Sequence, residues 1–231
     1  MTLIELMISL VIGLVVLGAL YASYLASSAS SAAGRAVSQV TEDATVAINL
    51  LRTHIGAAGY SRPVAVVANV TQYASADGPS WVIGCDGSAG SFADLDASIL
   101  TLACDTTATT SDSLAVAYEA TAANSVTRDV SGVATPLDCL GNAITITPIA
   151  AGTAGAPGYY VSYSRFFVNN GGLQCRGPGA TGSQTLVENI ESMQFTYGLS
   201  DAIGGRSAVD YRTADEIDAA EWARVVSVRV C

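Results

Sequence analysis

The hydrophobic pattern divides this chain into three stretches with different periods. From Leu3 to Ala26 it reads LIELMISLVIGLVVLGALYASYLA, apolar on every side of a helix and carrying one charge, Glu5. Such a run is long enough to cross the ~30 Å hydrocarbon layer of a bilayer as a helix. After a Ser/Ala-rich stretch from Ser27 to Ala33, apolar residues recur at Val37, Val40, Ala44, Ile48, Leu51 and Ile55. Spacings of three and four residues make one apolar stripe on a helix. Gln39, Glu42, Asp43, Asn49 and Arg52 fall between them. The pattern therefore predicts one helix from about Met1 to about Ile55, on the order of 80 Å long. Its first half seeks lipid or copies of itself, and its second half seeks a folded domain. Gly56, Gly59 and Pro63 are expected to end it.

Beyond Pro63 the period changes to short β-like runs between clusters of Gly, Ser, Asp and Pro. Strands are expected at Ser98–Cys104, Ser113–Tyr118, Ala143–Thr147, Tyr159–Val168, Met193–Tyr197 and Arg224–Val230, several alternating at period two as half-buried antiparallel strands do. A short helix is expected at Asp215–Trp222, and long loops at Thr106–Thr110, Ala150–Gly158 and Asn169–Gly182. The fold class is α+β, a long N-terminal helix packed on an antiparallel sheet. Three parts follow: 1–26, an apolar helix; 27–56, its amphipathic continuation; and 57–231, a β-rich head.

Composition narrows the classes of function. Half of the 231 residues are hydrophobic and 13% are charged, which excludes a disordered acidic tail. Ten basic residues face twenty acidic ones, a net charge of −10, so electrostatic binding to nucleic acid is disfavoured. Lysine is absent, so all ten side-chain cations are arginines. The only histidine, His54, sits on the predicted helix, leaving no Ser-His-Asp or Cys-His arrangement in the head. It is expected to face solvent or the helix–sheet junction. Carboxylate pairs at Asp94/Asp96 and Asp215/Glu216 read as acidic surface rather than as a general acid and base. Asp86, Asp94 and Asp96 could hold Ca²⁺ through oxygen ligands, but not as an EF-hand loop. No phosphate-cradling loop and no cofactor motif occurs. Tyr159, Tyr160 and Tyr163 read as sheet residues, with a surface aromatic patch as the alternative. An enzymatic role is not expected.

Five cysteines stand at Cys85, Cys104, Cys139, Cys175 and Cys231, with no C-x-x-C pair and hence no usual zinc site. Wide spacing in an exported domain reads as disulfides. Two bonds among five cysteines can be drawn in 15 ways (five choices of the free residue times three pairings). Joining sequence neighbours, Cys85–Cys104 and Cys139–Cys175, is the expectation, leaving Cys231 over.

A signal peptide would carry a basic start and no carboxylate in its apolar core. Here Arg35 is the first basic side chain. Small residues in SASSAAG nonetheless keep a cleavage site open. A carboxylate inside a bilayer-length helix costs a few kcal/mol unless paired. Glu5 either lies at the interface, favoured by the N-terminal dipole, or pairs with a cation at its own depth. The α-amino group of Met1 in a neighbouring copy is such a cation, and that pairing would set the stagger between subunits. Gly13 and Gly18 weaken the apolar helix by roughly 1 kcal/mol each relative to Ala and permit close contact or local unwinding.

Residues Met1-Thr2-Leu3-Ile4-Glu5-Leu6-Met7-Ile8-Ser9-Leu10 resemble the mature N-terminus of type IV pilins, whose hallmark is the acid that falls here on Glu5. The usual first residue is Phe; here it is Met1. Leu50–Tyr60, Leu186–Gly198 and Trp222–Val230 resemble the PilW-type members of that family. The resemblance implies cleavage before Met1 and N-methylation of Met1 by a prepilin peptidase. It also implies a single-pass stay in the inner membrane with the head in the periplasm, and polymerisation on an inner-membrane assembly platform into an extracellular filament of like subunits. Met1, Thr2, Glu5, Gly13 and Gly18 are then the assembly residues. A minor subunit that primes assembly, a type II secretion pseudopilin and a membrane-anchored binding module are the alternatives.

Overall fold

A computed structural model describes residues 2–67, 70–73, 81–87, 92–96, 99, 101–105, 111–147, 158–179 and 182–231. Helix α1 spans Leu3–Ala57 without a break. The strands that follow are β1 (Pro63–Val67), β2 (Val70–Tyr73), β3 (Val82–Cys85), β4 (Ser113–Ala120), β5 (Thr127–Val130), β6 (Val133–Pro136), β7 (Ile146–Thr147), β8 (Tyr159–Asn169), β9 (Gly172–Arg176), β10 (Gln184–Glu188), β11 (Phe195–Leu199), β12 (Asp210–Arg212) and β13 (Val225–Val230). The class is α+β, consistent with a pilin-like fold. The chain divides into two compact units, Met1–Ala44 and Thr45–Cys231.

Within the second unit the main sheet runs β10-β9-β8-β4-β3, with β7 also paired to β8. A three-stranded sheet has the order β12-β11-β13, and β1-β2 and β5-β6 form separate ribbons. Every described pairing is antiparallel. Antiparallel sheets commonly wet one face, but β4 is buried along its whole length. Leu114, Val116 and Tyr118 join the principal core with Ala47 and Leu51 of α1, Phe166 of β8 and Phe195, Tyr197 and Leu199 of β11. Ala115 and Ala117, pointing the other way, meet Cys85, Phe92 and Ile99. The alternation in SLAVAYEA thus sorts side chains between two covered faces rather than between core and water.

The second face is covered by the Cys85–Cys104 loop. Ser98–Cys104, expected as a strand, is not one among its described residues; its pairing there is a single bridge, Phe92↔Cys104. The disulfide holds the segment while Ile99 and Phe92 plug the sheet. From β9, Arg176 clamps the same loop by an ion pair to Asp96. The stretch Asn169–Gly182, expected as loop, contains β9, returned from β8 by an Asn170-Gly171 turn with φ of 52° and 71°. Positive φ at both central residues matches strand twist and favours this residue pair. Residues 106–110 and 150–157 of the other two expected loops lie outside the described residues.

Smaller corrections share one cause, competition between local propensity and packing. Ala143 makes only a bridge to Leu137, leaving β7 two residues long. Met193 is drawn into the core ahead of β11. The helix expected over Asp215–Trp222 is two 3₁₀ turns, Ala214–Glu216 and Trp222–Arg224. Gly56 lies inside α1 and Pro63 opens β1; the chain leaves the helix through Gly59 at φ 74°. A β-carbon on Gly59 would stand 3.1 Å from the Trp81 ring, so both space and dihedral select glycine.

The cysteines pair as Cys85–Cys104 and Cys139–Cys175, with Cys231 free and exposed. The second bond ties the β6–β7 connection to β9 across 36 residues of sequence. Closing a loop of that size stabilises by about 4 kcal/mol in the chain-entropy model. The double variant Cys139→Ser/Cys175→Ser should lose about that much in urea unfolding of the full chain in detergent. A midpoint unchanged from wild type would rule out this staple.

Candidate assembly interface

The first unit is helix alone. Every described side chain from 2 to 42 is exposed, including Leu3 at 82% and Leu25 at 48%. The best 18-residue window has a mean hydropathy of 2.6, and none of it is buried, so α1 is long and apolar enough to cross a membrane. Between Leu3 and Leu25 thirteen Leu, Ile and Val side chains are exposed, each worth roughly 1.5–3 kcal/mol on full burial. That free energy is available only to lipid or to a partner.

Glu5 sits in the third position of the helix, after Thr2. Its carboxylate accepts the Thr2 backbone N–H at 2.9 Å and the Thr2 hydroxyl at 3.3 Å. In return the Glu5 and Leu6 amides donate to the Thr2 carbonyl at 3.1 and 3.4 Å. A side chain at this position reaching back to the cap amide is half of a capping box. Within one chain, then, Thr2 is the partner that the described residues give Glu5; Met1 lies outside them. Gly13 and Gly18 leave open space where a β-carbon would be, and α1 passes both without unwinding. Ser9 and Ser28 return their hydroxyls to the helix's own carbonyls, Glu5 O at 2.7 Å and Leu25 O at 2.9 Å.

The second half of α1 departs from expectation. Of the expected stripe Val37, Val40, Ala44, Ile48, Leu51 and Ile55, the residues Val37, Val40 and Ile48 are 68%, 61% and 53% exposed. Burial falls on the end of that stripe, on Leu51 with Ile55 packed behind it, and on Ala47, supported by Leu50, Ala57 and Ala58. The sheet reaches only the last three turns of the helix. The apolar residues upstream are therefore left uncovered and extend the available surface.

In the head, His54 lies at the helix–sheet junction. Its ring is 5.0 Å from that of Phe166, and Nδ1 is 3.1 Å from the Tyr118 hydroxyl. Burial pushes the imidazole down to about 4 against a small opposing pull from Asp138. Two carboxylates that patterning missed fix the framework. Glu119, buried in β4, takes the Arg62 guanidinium at 2.8 Å and the Arg62 amide at 2.7 Å, tying the exit of α1 to the sheet. Asp112 accepts the amides of Gly87 at 2.8 Å and Phe195 at 2.7 Å, joining the two sheets; burial raises its carboxyl above the usual range. One signal was available for each: an acid inside an otherwise apolar strand, and an acid immediately before one.

The remaining candidates have structural partners. Asp96 is bound to Arg176 and donates its own amide to Asp94 at 2.8 Å. Asp215 and Glu216 accept from the hydroxyl and amide of Thr213, capping a 3₁₀ turn. Among the described residues no group of three or more His, Cys, Asp or Glu is placed to hold a metal. Tyr159 is buried, and Tyr160 and Tyr163 are half-buried against the core clusters, so the strand offers no exposed aromatic patch.

Residues 158–231, about a third of the chain, match the family described as Type IV Pilus-assembly protein W. The matched region runs from β8 to β13 and includes Cys175. It contains neither Glu5 nor any part of α1, so the two ends of the chain point to the same family from separate residues. No curated protein and no solved structure matches.

Proposed function

We propose that this chain, PilW-like over its last third, is a pilin-type subunit of a type IV pilus. It waits in the inner membrane on the apolar half of α1 with its head in the periplasm. It is then drawn, on the assembly platform, into an extracellular helical filament. The observation that carries this reading is the unbroken, fully exposed apolar helix with one carboxylate near its start. Lipid satisfies the apolar surface but not Glu5, whose intrachain partners among the described residues are an amide and a hydroxyl, neither of them charged. In a filament a neighbouring Met1 amine, methylated by the prepilin peptidase, supplies the counter-charge, and the pair sets the axial stagger of the polymer. No catalytic role is assigned.

Absence of lysine makes the pairing directly testable. With no lysine among these 231 residues, the α-amino group of Met1 is their one amine, so a zero-length carbodiimide can join them by an amide only through it. Purified filaments should yield a covalent ladder, and the cross-linked peptides should map to Met1 and Glu5. Monomer alone, or links to head carboxylates only, rejects the pairing.

A second reading is favoured by the description of the matched family as an assembly protein: a minor subunit that starts filaments rather than building their length. Immunogold labelling separates the two. Label along the shaft means the filament's bulk subunit, and label confined to one end means the initiating one.

A further inference from the structure

Beyond any role in polymerisation, the junction of α1 with the sheet has the chemistry of a switch. His54 is the one histidine of the chain and stands in the last turn of α1. Phe166 from β8 and Tyr118 from β4 enclose its ring. Tyr118 is 2% exposed and also hydrogen-bonds Ser162, which lies 3.3 Å from Ser164; both serines are wholly buried. As neutral imidazole in the tautomer protonated on Nε2, Nδ1 can accept the Tyr118 hydroxyl at 3.1 Å and complete the polar chain under the helix.

An imidazolium has no such place. It would put an N–H where the neutral Nδ1 can accept one, and its charge would sit on a half-buried ring with no carboxylate of the described residues in contact. The titratable and charged groups around it are few. β4 brings Tyr118, whose own ionisation burial pushes up. β8 brings only Phe166 and the two serines. On α1 the nearest charge, Arg52, is exposed. The segment after β6 brings Asp138, the attractive charge among the described residues. That carboxylate is already committed to the amides of Leu140 and Asn142, both at 2.9 Å, and of Gly179 at 3.0 Å.

We propose that His54 is an acid-sensitive latch: in its neutral form it docks the last turns of α1 on the sheet, and its protonation releases them. The freed segment would carry Ala47 and Leu51 out of the core with it. Acid surroundings would thereby loosen the helix from the head without touching the assembly residues.

Because His54 is unique, its ring resonances report the latch without ambiguity in the full chain in detergent. The expected titration midpoint is near 4, well below the ordinary 6.5. Amide-exchange protection over residues 45–58, corrected for intrinsic rates, should fall about 30-fold between pH 7.5 and 5, as linkage to a depressed group requires. His54→Gln should show protection that does not vary with pH. A midpoint near 6.5, or protection in His54→Gln that falls with acid as in wild type, overturns the proposal. Should that variant fail to fold, the wild type decides alone: the latch requires exchange protection to fall along the slope that its histidine titration sets, and protection that stays flat refutes it.

Discussion

Glu5→Ala is expected to abolish incorporation into filaments while leaving membrane insertion intact. Removing one partner of a buried ion pair costs about 3–5 kcal/mol, because the other charge is left without compensation. At 1.4 kcal/mol per tenfold, assembly should fall by a factor of roughly 10² or more. The structure supplies a sharper variant. Glutamine at position 5 can still accept the Thr2 amide, as a capping side chain does, but it carries no charge. If Glu5 serves only to cap its own helix, Glu5→Gln assembles normally. If it neutralises a neighbouring amine, Glu5→Gln fails like Glu5→Ala. Sheared-filament yield per membrane-inserted subunit measures both, and normal filaments from Glu5→Gln would reject the pairing mechanism.

Leu51→Ala is the largest stability loss expected from one substitution on the helix. Leu51 is 2% exposed and packs in the principal core, whereas Ile48, three residues earlier, is 53% exposed. Truncating a buried leucine costs about 2–5 kcal/mol through lost transfer free energy and the cavity left behind. An exposed position changes stability by roughly half a kcal/mol or less. Near-UV circular dichroism of the full chain in detergent should show the melting temperature of Leu51→Ala lowered by roughly 4–20 °C. Ile48→Ala should stay close to wild type in that measurement. Equal losses would place Ile48 in the helix–sheet contact beside Ala47 and Leu51. In a filament assay the order should reverse, with Ile48→Ala weakening assembly and leaving the head intact.

The parts of this fold that were legible are those whose cause is local. A 55-residue helix with an all-round apolar half needs no tertiary partner to be recognised. Tyr159–Asn169 and Val225–Val230 are dense in β-branched and aromatic residues and were found within one residue at either end. The strands that were missed are short or weakly patterned. Gly172–Arg176 begins with glycine, Thr127–Val130 and Val133–Pro136 hold an arginine, an aspartate and a proline, and Gln184–Glu188 is broken by a register shift. Each is a strand because a neighbour pairs with it, and single-segment propensity is silent about neighbours.

The candidate site divides along the same line. Glu5 was conspicuous because a carboxylate in an apolar run is costly anywhere in such a helix. That Thr2 holds it within the chain, and that the apolar stripe is bare at Val37, Val40 and Ile48, depended on where other backbone lies. His54 was visible as a lone histidine, but its neutral state is imposed by Phe166 and Tyr118, far off in sequence.

By itself the sequence determined the membrane-length helix, its single acid and the change from helical to strand period at Pro63. These follow from transfer free energy and side-chain periodicity, which are properties of neighbours along the chain. The tertiary structure alone decided which helical turns are covered, that both faces of β4 are buried, and which carboxylates bind backbone amides. Those are properties of residues brought together from distant positions, and no period within one segment encodes them.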